Sequence, residues 1–222
     1  KKTKKYKTFH TSQENQNKMK QEFDWGSCNN SFRDIVNREI FEEKIYESLS
    51  PVKPGDVVLD LGASIGPFTW SIMDKASKVI SLEPSTKLIP LLTKNTSGYP
   101  VSIVNKALTK QDGNEVIDHI YEPFGSGTWD TRWNISQEVQ TTTLKSIIKE
   151  HNLDRIDFIK TDCEGGEYAL FTNDNMDFLL NNVRNIVGEW HLSTPSLKAE
   201  FRYFRDKYLL QFKPKFNTLQ EL

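Results

Sequence analysis

Cysteine is scarce. Only Cys28 and Cys163 occur in 222 residues, far apart and outside any metal-type or redox-type spacing, which excludes a disulfide framework and fits a reduced cytosolic setting. No apolar run approaches the ~20 residues that a membrane-crossing helix needs, and the first twenty residues lack the apolar stretch of a secretory signal. A soluble, cytoplasmic protein without a membrane partner is therefore expected. Net charge is also nearly absent, at −1, so no global basic field draws the chain to phosphates. Nucleic acid is accordingly left out of the expected partners. Internal repeats and low-complexity segments are missing as well.

Lysine is unevenly spread. Seven lysines stand in the first twenty residues against one acid, Glu14, and such a run reads as a solvated tail. Residues 1–22 are expected to form a basic flexible tail and 23–222 one domain, since this length suits a single α/β unit. Oligomeric state is left open.

Apolar spacing then orders the elements. Phe32, Ile35, Val36, Ile40, Phe41, Ile45 and Leu49 recur near a period of 3.6, predicting a helix over Asn30 to Leu49 that stops before Pro51 and Pro54. The run from Asp56 to Leu61, closed by Gly62, reads as a strand, and Pro67 opens the next helix at a position that tolerates it. The alternation continues: a strand at 78–83, a helix from Thr86 to Lys94, a strand from Val101 to Leu108. A helix capped by Thr142 or Thr143 follows, then strands at 156–162 and 183–192, a helix from Thr194 to about Lys207, and an extended segment from Leu209 to Phe216. Strands alternating with helices predict an α/β Rossmann-like class I sheet, mostly parallel, with helices on both faces and room for an antiparallel hairpin at the C-terminus. Residues 116–142, dense in aromatics and glycine, interrupt the alternation and read as a hairpin, either a lid or an edge cover.

In such a sheet ligands bind beyond the carboxyl ends of the strands. After the first strand stand Asp60, Gly62, Ala63, Ser64, Ile65 and Gly66. A dinucleotide fingerprint started at Gly62 would need glycine at positions 64 and 67, which hold Ser and Pro. Asp60 would also repel a pyrophosphate, whereas it would attract a cofactor bearing a sulfonium and an ammonium. S-Adenosylmethionine is the cofactor this asymmetry favours. Glu83 ends the second strand 23 residues after Asp60, near the interval at which an acid meets ribose hydroxyls. Pro84 and Ser85 flank it, and Lys106 and Ala107, after the third strand, occupy the level expected for an adenine ring.

The segment Ile156–Phe171 sets Asp162, Glu164 and Glu167 around Gly165 and Gly166 at a strand end. Together with the run from Val57 to Thr69 and Val187-Gly-Glu-Trp-His191, it closely resembles the FkbM family of methyltransferases from about Arg38 to His191. The resemblance implies a class I fold, S-adenosylmethionine as donor and a hydroxyl of a sugar or natural product as acceptor. It carries the cofactor roles to Asp60, Gly62, Gly66 and Glu83, and the acidic motif to Asp162, Glu164, Gly165 and Glu167.

Methyl transfer needs a positioned acceptor and gains from a base beside it. Glu189 and His191, two apart on an extended chain, face one way and are the expected proton acceptors, with Asp162 orienting cofactor or acceptor. Glu164 and Glu167 also suit a structural role, as acids stabilised in a first helical turn. A divalent ion on Asp162, Glu189 and His191 is chemically allowed but not required by spacing, so no metal is expected. The turn at Asp162 lacks the Asn/Asp-Pro-Pro-aromatic sequence of nucleic acid amine methyltransferases. A transferase acting on the nitrogen of another acceptor and a non-catalytic nucleoside-binding module remain as alternatives, and a dehydrogenase is disfavoured by the glycine pattern.

Overall fold

The computed structural model describes residues 20–120, 123, 135–191, 195–209 and 216–221. In chain order the elements are α1 (Asn30–Val36), a π-helical turn (Asn37–Glu42), α2 (Ile45–Leu49), β1 (Val57–Leu61), α3 (Pro67–Ile72), β2 (Lys78–Leu82) and α4 (Ile89–Thr96). Next come β3 (Val101–Val104), β4 (Ala107–Leu108), β5 (Gly113–Ile120), β6 (Ile135–Thr142), α5 (Leu144–Glu150), β7 (Ile156–Thr161) and a 3₁₀ turn (Gly166–Leu170). The chain continues through α6 (Asn173–Asn182), β8 (Val183–Trp190), α7 (Pro195–Phe204), a second π-helical turn (Arg205–Leu209) and β9 (Phe216–Glu221).

Six strands form one parallel sheet in the order β3-β2-β1-β7-β8-β9. Numbered by their succession within the sheet, this is 3-2-1-4-5-6, the doubly wound order, whose direction reverses between β1 and β7. Parallel strands are covered on both faces and so read as continuous apolar runs, which is why Val57–Leu61 carries almost no polar residue. Alternation divides these residues between two cores. Leu59, Leu61, Ile80, Leu82, Ile159 and Ile186 pack on one face, where α5, α6 and α7 lie. Val58, Val79, Phe158 and Val187 pack on the other, with Phe68 and Ile72 of α3 and Phe32 of α1.

The α/β Rossmann-like expectation holds, with four local differences. The helix expected over 30–49 is broken: Lys44 takes a left-handed conformation (φ 52°) and the chain restarts as α2, an interruption to which an apolar period is blind. The strand expected over 101–108 divides, because Ala107 and Leu108 pair with β6 in a second, three-stranded sheet. The final strand lies at Phe216–Glu221 and runs parallel to β8, with no antiparallel hairpin at this edge among the described residues. The intervening α7 makes the long crossover that a parallel pairing requires. The 3₁₀ turn and α6 have no counterpart in the sequence reading, because the polar stretch Asn173–Asn182 shows only a short apolar stripe.

The strands that flank the aromatic, glycine-rich residues, β5 and β6, pair antiparallel from Gly113↔Thr141 to Ile120↔Ile135. The residues between these strands that carried the expectation, Trp129, Arg132 and Trp133 among them, lie outside the described residues, as do residues 1–19 of the basic tail. Gln21 and Lys20 rest on the domain, Gln21 donating to the carbonyls of Lys94 and Asn95 and Lys20 to that of Ser71. Among the described residues no helix is long and apolar enough to cross a membrane.

Candidate active site

The bend after β1 is tied to the strands beside it. Gly62 and Ala63 both donate their amides to the Leu82 carbonyl (3.1 and 2.8 Å), Gly66 donates to Ala63 (2.8 Å), and the Ser64 amide donates to Glu83 Oε2 (2.8 Å). Four of the five amides of Gly62–Gly66 are thus satisfied inside the protein. A phosphate cradle needs several such amides free and converging on an anion; this bend has at most that of Ile65 to spare.

The two glycines meet a packing demand. A Cβ on Gly62 (φ 77°) would stand 1.8 Å from the Asp162 carbonyl oxygen, and one on Gly66 (φ 88°) 2.7 Å from Leu92 Cδ1. Gly62 is therefore what lets the ends of β1 and β7 close together at the switch point. Ile65 turns into the core beneath, and its carbonyl accepts from Asn95.

Glu83 is buried at the end of β2. Its Oε1 accepts from the Ser85 amide and its Oε2 from the Ser64 amide, both at 2.8 Å. Burial pushes the carboxyl up to about 7, against the pull of these two amides and of Lys160. Each oxygen keeps capacity for another donor, so two neighbouring hydroxyls can still be received. Asn105 holds the level of this acid by donating to the carbonyls of Glu83 and Pro84 (2.8 and 3.0 Å). Lys106 leans away, 4.0 Å from Glu150 of α5, and Ala107 belongs to the second sheet.

Asp60 differs from its expected role as a charge at the pocket lip. It is fully buried, its Oδ2 accepts from Thr69 Oγ1 at 2.6 Å, and its Oδ1 lies 3.4 Å from Lys160 Nζ. Lys160, buried near the end of β7, donates to the Gly62 and Leu61 carbonyls (2.8 and 3.3 Å) and sits 3.8 Å from Asp162 Oδ2. Burial works against its charge, yet Asp60 and Asp162 hold it above the ordinary lysine range. Sequence reasoning passed over this lysine, although a cation inside a fully buried parallel strand is tolerated only when paired. It also missed Tyr46 of α2, whose hydroxyl donates to Asp162 Oδ2 at 2.9 Å; no local pattern marks that contact, 116 residues apart in sequence.

Beyond β7 and β8 lies a compact charged cluster. Glu167, fully buried, accepts from the amides of Cys163 and Gly165 (2.8 and 2.9 Å) and stands 2.7 Å from His191 Nδ1. His191 Nε2 faces Asp162 Oδ1 and Glu164 Oε2 at 3.7 and 3.5 Å. Burial opposes a charge on the ring, but Glu167, Asp162 and Glu164 raise it to about 10. Glu189 responds to burial and to the negative charge of Asp162 and is pushed up to about 7.

Asp60, Gly62, Ser64, Glu83, Ser85, Asp162, Glu189 and His191 are therefore gathered along one edge of the sheet. A nucleoside cofactor fits there on two counts: Glu83 retains acceptor capacity, and Ser64 Oγ is buried without a hydrogen-bond partner.

A doubly wound sheet, a ribose-type acid after its second strand and a bend that offers no anion cradle define the class I methyltransferase architecture. The model of the family described as "Methyltransferase FkbM domain" matches residues 60–212. The chain belongs to this family of S-adenosylmethionine-dependent methyltransferases.

Among curated proteins, ribosomal RNA small subunit methyltransferase A of Alkaliphilus metalliredigens is 30% identical over 89 residues, 40% of this chain and 30% of that protein. Dimethyladenosine transferase of Yarrowia lipolytica is 41% identical over 51 residues, 23% of this chain and 16% of its own length. Among solved structures, the C-terminal domain of precorrin-6Y C5,15-methyltransferase from Rhodobacter capsulatus is similar over 72% of this chain and 67% of that one, at a TM-score of 0.39 and 12% identity. The chain spans about a third or less of the length of the first curated relatives it matches.

These relatives overturn one expectation. Net charge excluded nucleic acid from the partners, yet several of the matched proteins are named for ribosomal RNA. A formal sum of −1 averages the whole surface, whereas phosphates are met by local lysines and arginines, so the sum alone carried no exclusion.

Proposed function

We propose that this domain, 23–222, transfers a methyl group from S-adenosylmethionine to a hydroxyl acceptor, such as that of a carbohydrate or small natural product. The observation that carries the reading is the pairing of a bend whose amides are nearly all bonded inside the protein with a proton-accepting edge at Asp162, Glu189 and His191. When bound, S-adenosylmethionine supplies a methyl group that passes to the acceptor oxygen as its carbon–sulfur bond breaks.

The residues of the chain bind, orient and remove a proton. Glu83 and Ser64 receive the ribose, with Gly62, Ala63, Gly66, Pro84 and Ser85 shaping the walls. Asp162, held by Tyr46 and Lys160, orients the reacting groups. Glu189 is the better base of the expected pair, because a carboxyl raised to about 7 matches neutral pH, whereas His191 already holds its proton. The acceptor proton goes to Glu189 as the oxygen gains the methyl.

The names of the curated relatives favour a second reading, methyl transfer to an RNA base nitrogen. Against it stands the Asp162-Cys-Glu-Gly turn. Labelled S-adenosylmethionine, offered with a panel of hydroxylated sugars and phenols and separately with unmodified ribosomal RNA, separates the two. Label in base-stable ethers supports the first; label only in RNA base amines replaces it with the second.

A further inference from the structure

The two nitrogens of His191 meet their carboxylates at different distances. Charge-assisted N–H···O⁻ bonds close to about 2.7–2.9 Å, as Nδ1 does with Glu167 at 2.7 Å. On the other side of the ring Nε2 stands 3.7 Å from Asp162 Oδ1 and 3.5 Å from Glu164 Oε2. Two ligands bound to one ion at about 2.1 Å each, at tetrahedral or octahedral angles, lie about 3–3.5 Å apart. The separation from Glu164 lies within this range and that from Asp162 just beyond it, and all three donor atoms fall within 4.8 Å of one another, so a small inward shift of the carboxylates would seat one ion.

The support behind the ring has the matching form. Imidazoles that bind metals characteristically give their other N–H to a carboxylate, which fixes the tautomer and aims the free nitrogen. Glu167 is placed to do this: it is fully buried, anchored by two backbone amides, and touches Nδ1 alone of the two ring nitrogens. Nε2 is thereby directed at the two carboxylates. Glu164, rather than the Glu189 of the chemically allowed set, joins Asp162 and His191 in the cluster the fold assembles, although no metal was expected from the sequence.

We propose that Asp162, Glu164 and His191 form a divalent-cation site at the carboxyl ends of β7 and β8, taking an ion such as Mn²⁺ through two carboxylate oxygens and one imidazole nitrogen, whose proton is released to solvent as the ion binds. Such a mixed O/N set suits first-row ions. Because Asp162 also closes on Gly62 of the cofactor bend, the ion would hold the acceptor oxygen beside the methyl donor. That role rests on the hydroxyl-transfer reading above; the binding of the ion does not.

The test is a titration of the full chain with Mn²⁺, followed by the electron paramagnetic resonance signal of the free ion. One saturable site per chain is expected, weakened at least tenfold in Glu164→Gln and His191→Asn and unchanged in Asp112→Asn. Glu164 is half exposed, so Glu164→Gln tests the site without threatening the fold, and retained S-adenosylhomocysteine affinity verifies this for both variants. Absence of saturable binding to the wild type, or equal binding by Glu164→Gln, overturns the site. Mn²⁺ binding by a chain that methylates no hydroxyl acceptor would leave the site standing and remove the reaction; hydroxyl methylation without Mn²⁺ binding would do the reverse.

Discussion

His191 and Glu167 meet at 2.7 Å between imidazole and buried carboxylate, joining the segment after β7 to the end of β8. Glu167→Gln keeps the size and removes the charge, turning an NH₂ toward donors. Turnover is expected to fall about 10–100-fold, as when an outer partner of a functional histidine is lost. Stability should fall by about 1–3 kcal/mol through the unsatisfied amides, while S-adenosylhomocysteine affinity stays within about twofold. Kinetics beside calorimetry decide this; an equal loss in cofactor binding would place the pair in the cofactor pocket instead.

Acid should weaken the cofactor site through Glu83. Ribose hydroxyls donate to the ionised form, and burial raises this carboxyl to about 7. The dissociation constant of S-adenosylhomocysteine is expected to be flat above that pH and to rise up to about tenfold per unit below it. In the ligand-free chain the sign is opposite. A raised carboxyl contributes stability that is fully present below its ordinary 4.5 and is lost as pH climbs through about 7. Glu83→Gln should flatten both profiles, measured by calorimetry and thermal melts; an unchanged binding slope would show that another group titrates.

Gly62→Ala and Gly55→Ala isolate steric closeness from backbone strain. Both glycines have positive φ, but an added Cβ meets the Asp162 carbonyl oxygen at 1.8 Å in the first and nothing within 4 Å in the second. The shared left-handed conformation costs about 1–2 kcal/mol. Urea denaturation should show about this loss for Gly55→Ala and at least about 2 kcal/mol more for Gly62→Ala, where two strands must part. Equal losses would mean that β1 and β7 are not so closely joined.

Lys160→Met strands the buried Asp60 without its counter-charge. Removing one partner of a buried pair costs about 3–5 kcal/mol. The double variant Lys160→Met/Asp60→Asn should recover part of this, with a coupling of about 0.5–3 kcal/mol in a denaturation cycle. Strict additivity would show that the 3.4 Å approach carries no energy.

Local pattern alone made most of the sheet legible. Short runs rich in Val, Leu, Ile and Phe at 57–61, 78–82 and 156–161, with apolar residues on both faces, point to buried parallel strands. Thr143 capped its helix as its hydroxyl chemistry dictates, accepting from the Ser146 amide at 3.1 Å. Glu83 was legible as a strand-end acid, and the fold sets it at the end of β2 with the bend after β1 bonded to it. The roles of Gly62 and Asp60 were read less well: the Cβ that Gly62 lacks would strike the Asp162 carbonyl, and the charge of Asp60 is answered by Lys160, both distant in sequence.

Which residues alternate, where a helix can begin and which strand ends carry acids were decided by the order of the amino acids, because period, capping and turn chemistry are properties of neighbours along the chain. That Tyr46 reaches Asp162, that Lys160 stands between two carboxylates, and that His191 turns one nitrogen to Glu167 and the other to Asp162 and Glu164 was decided only by the tertiary structure. Such contacts depend on where separate strands end when the sheet closes, and no local spacing encodes the distance between side chains a hundred residues apart.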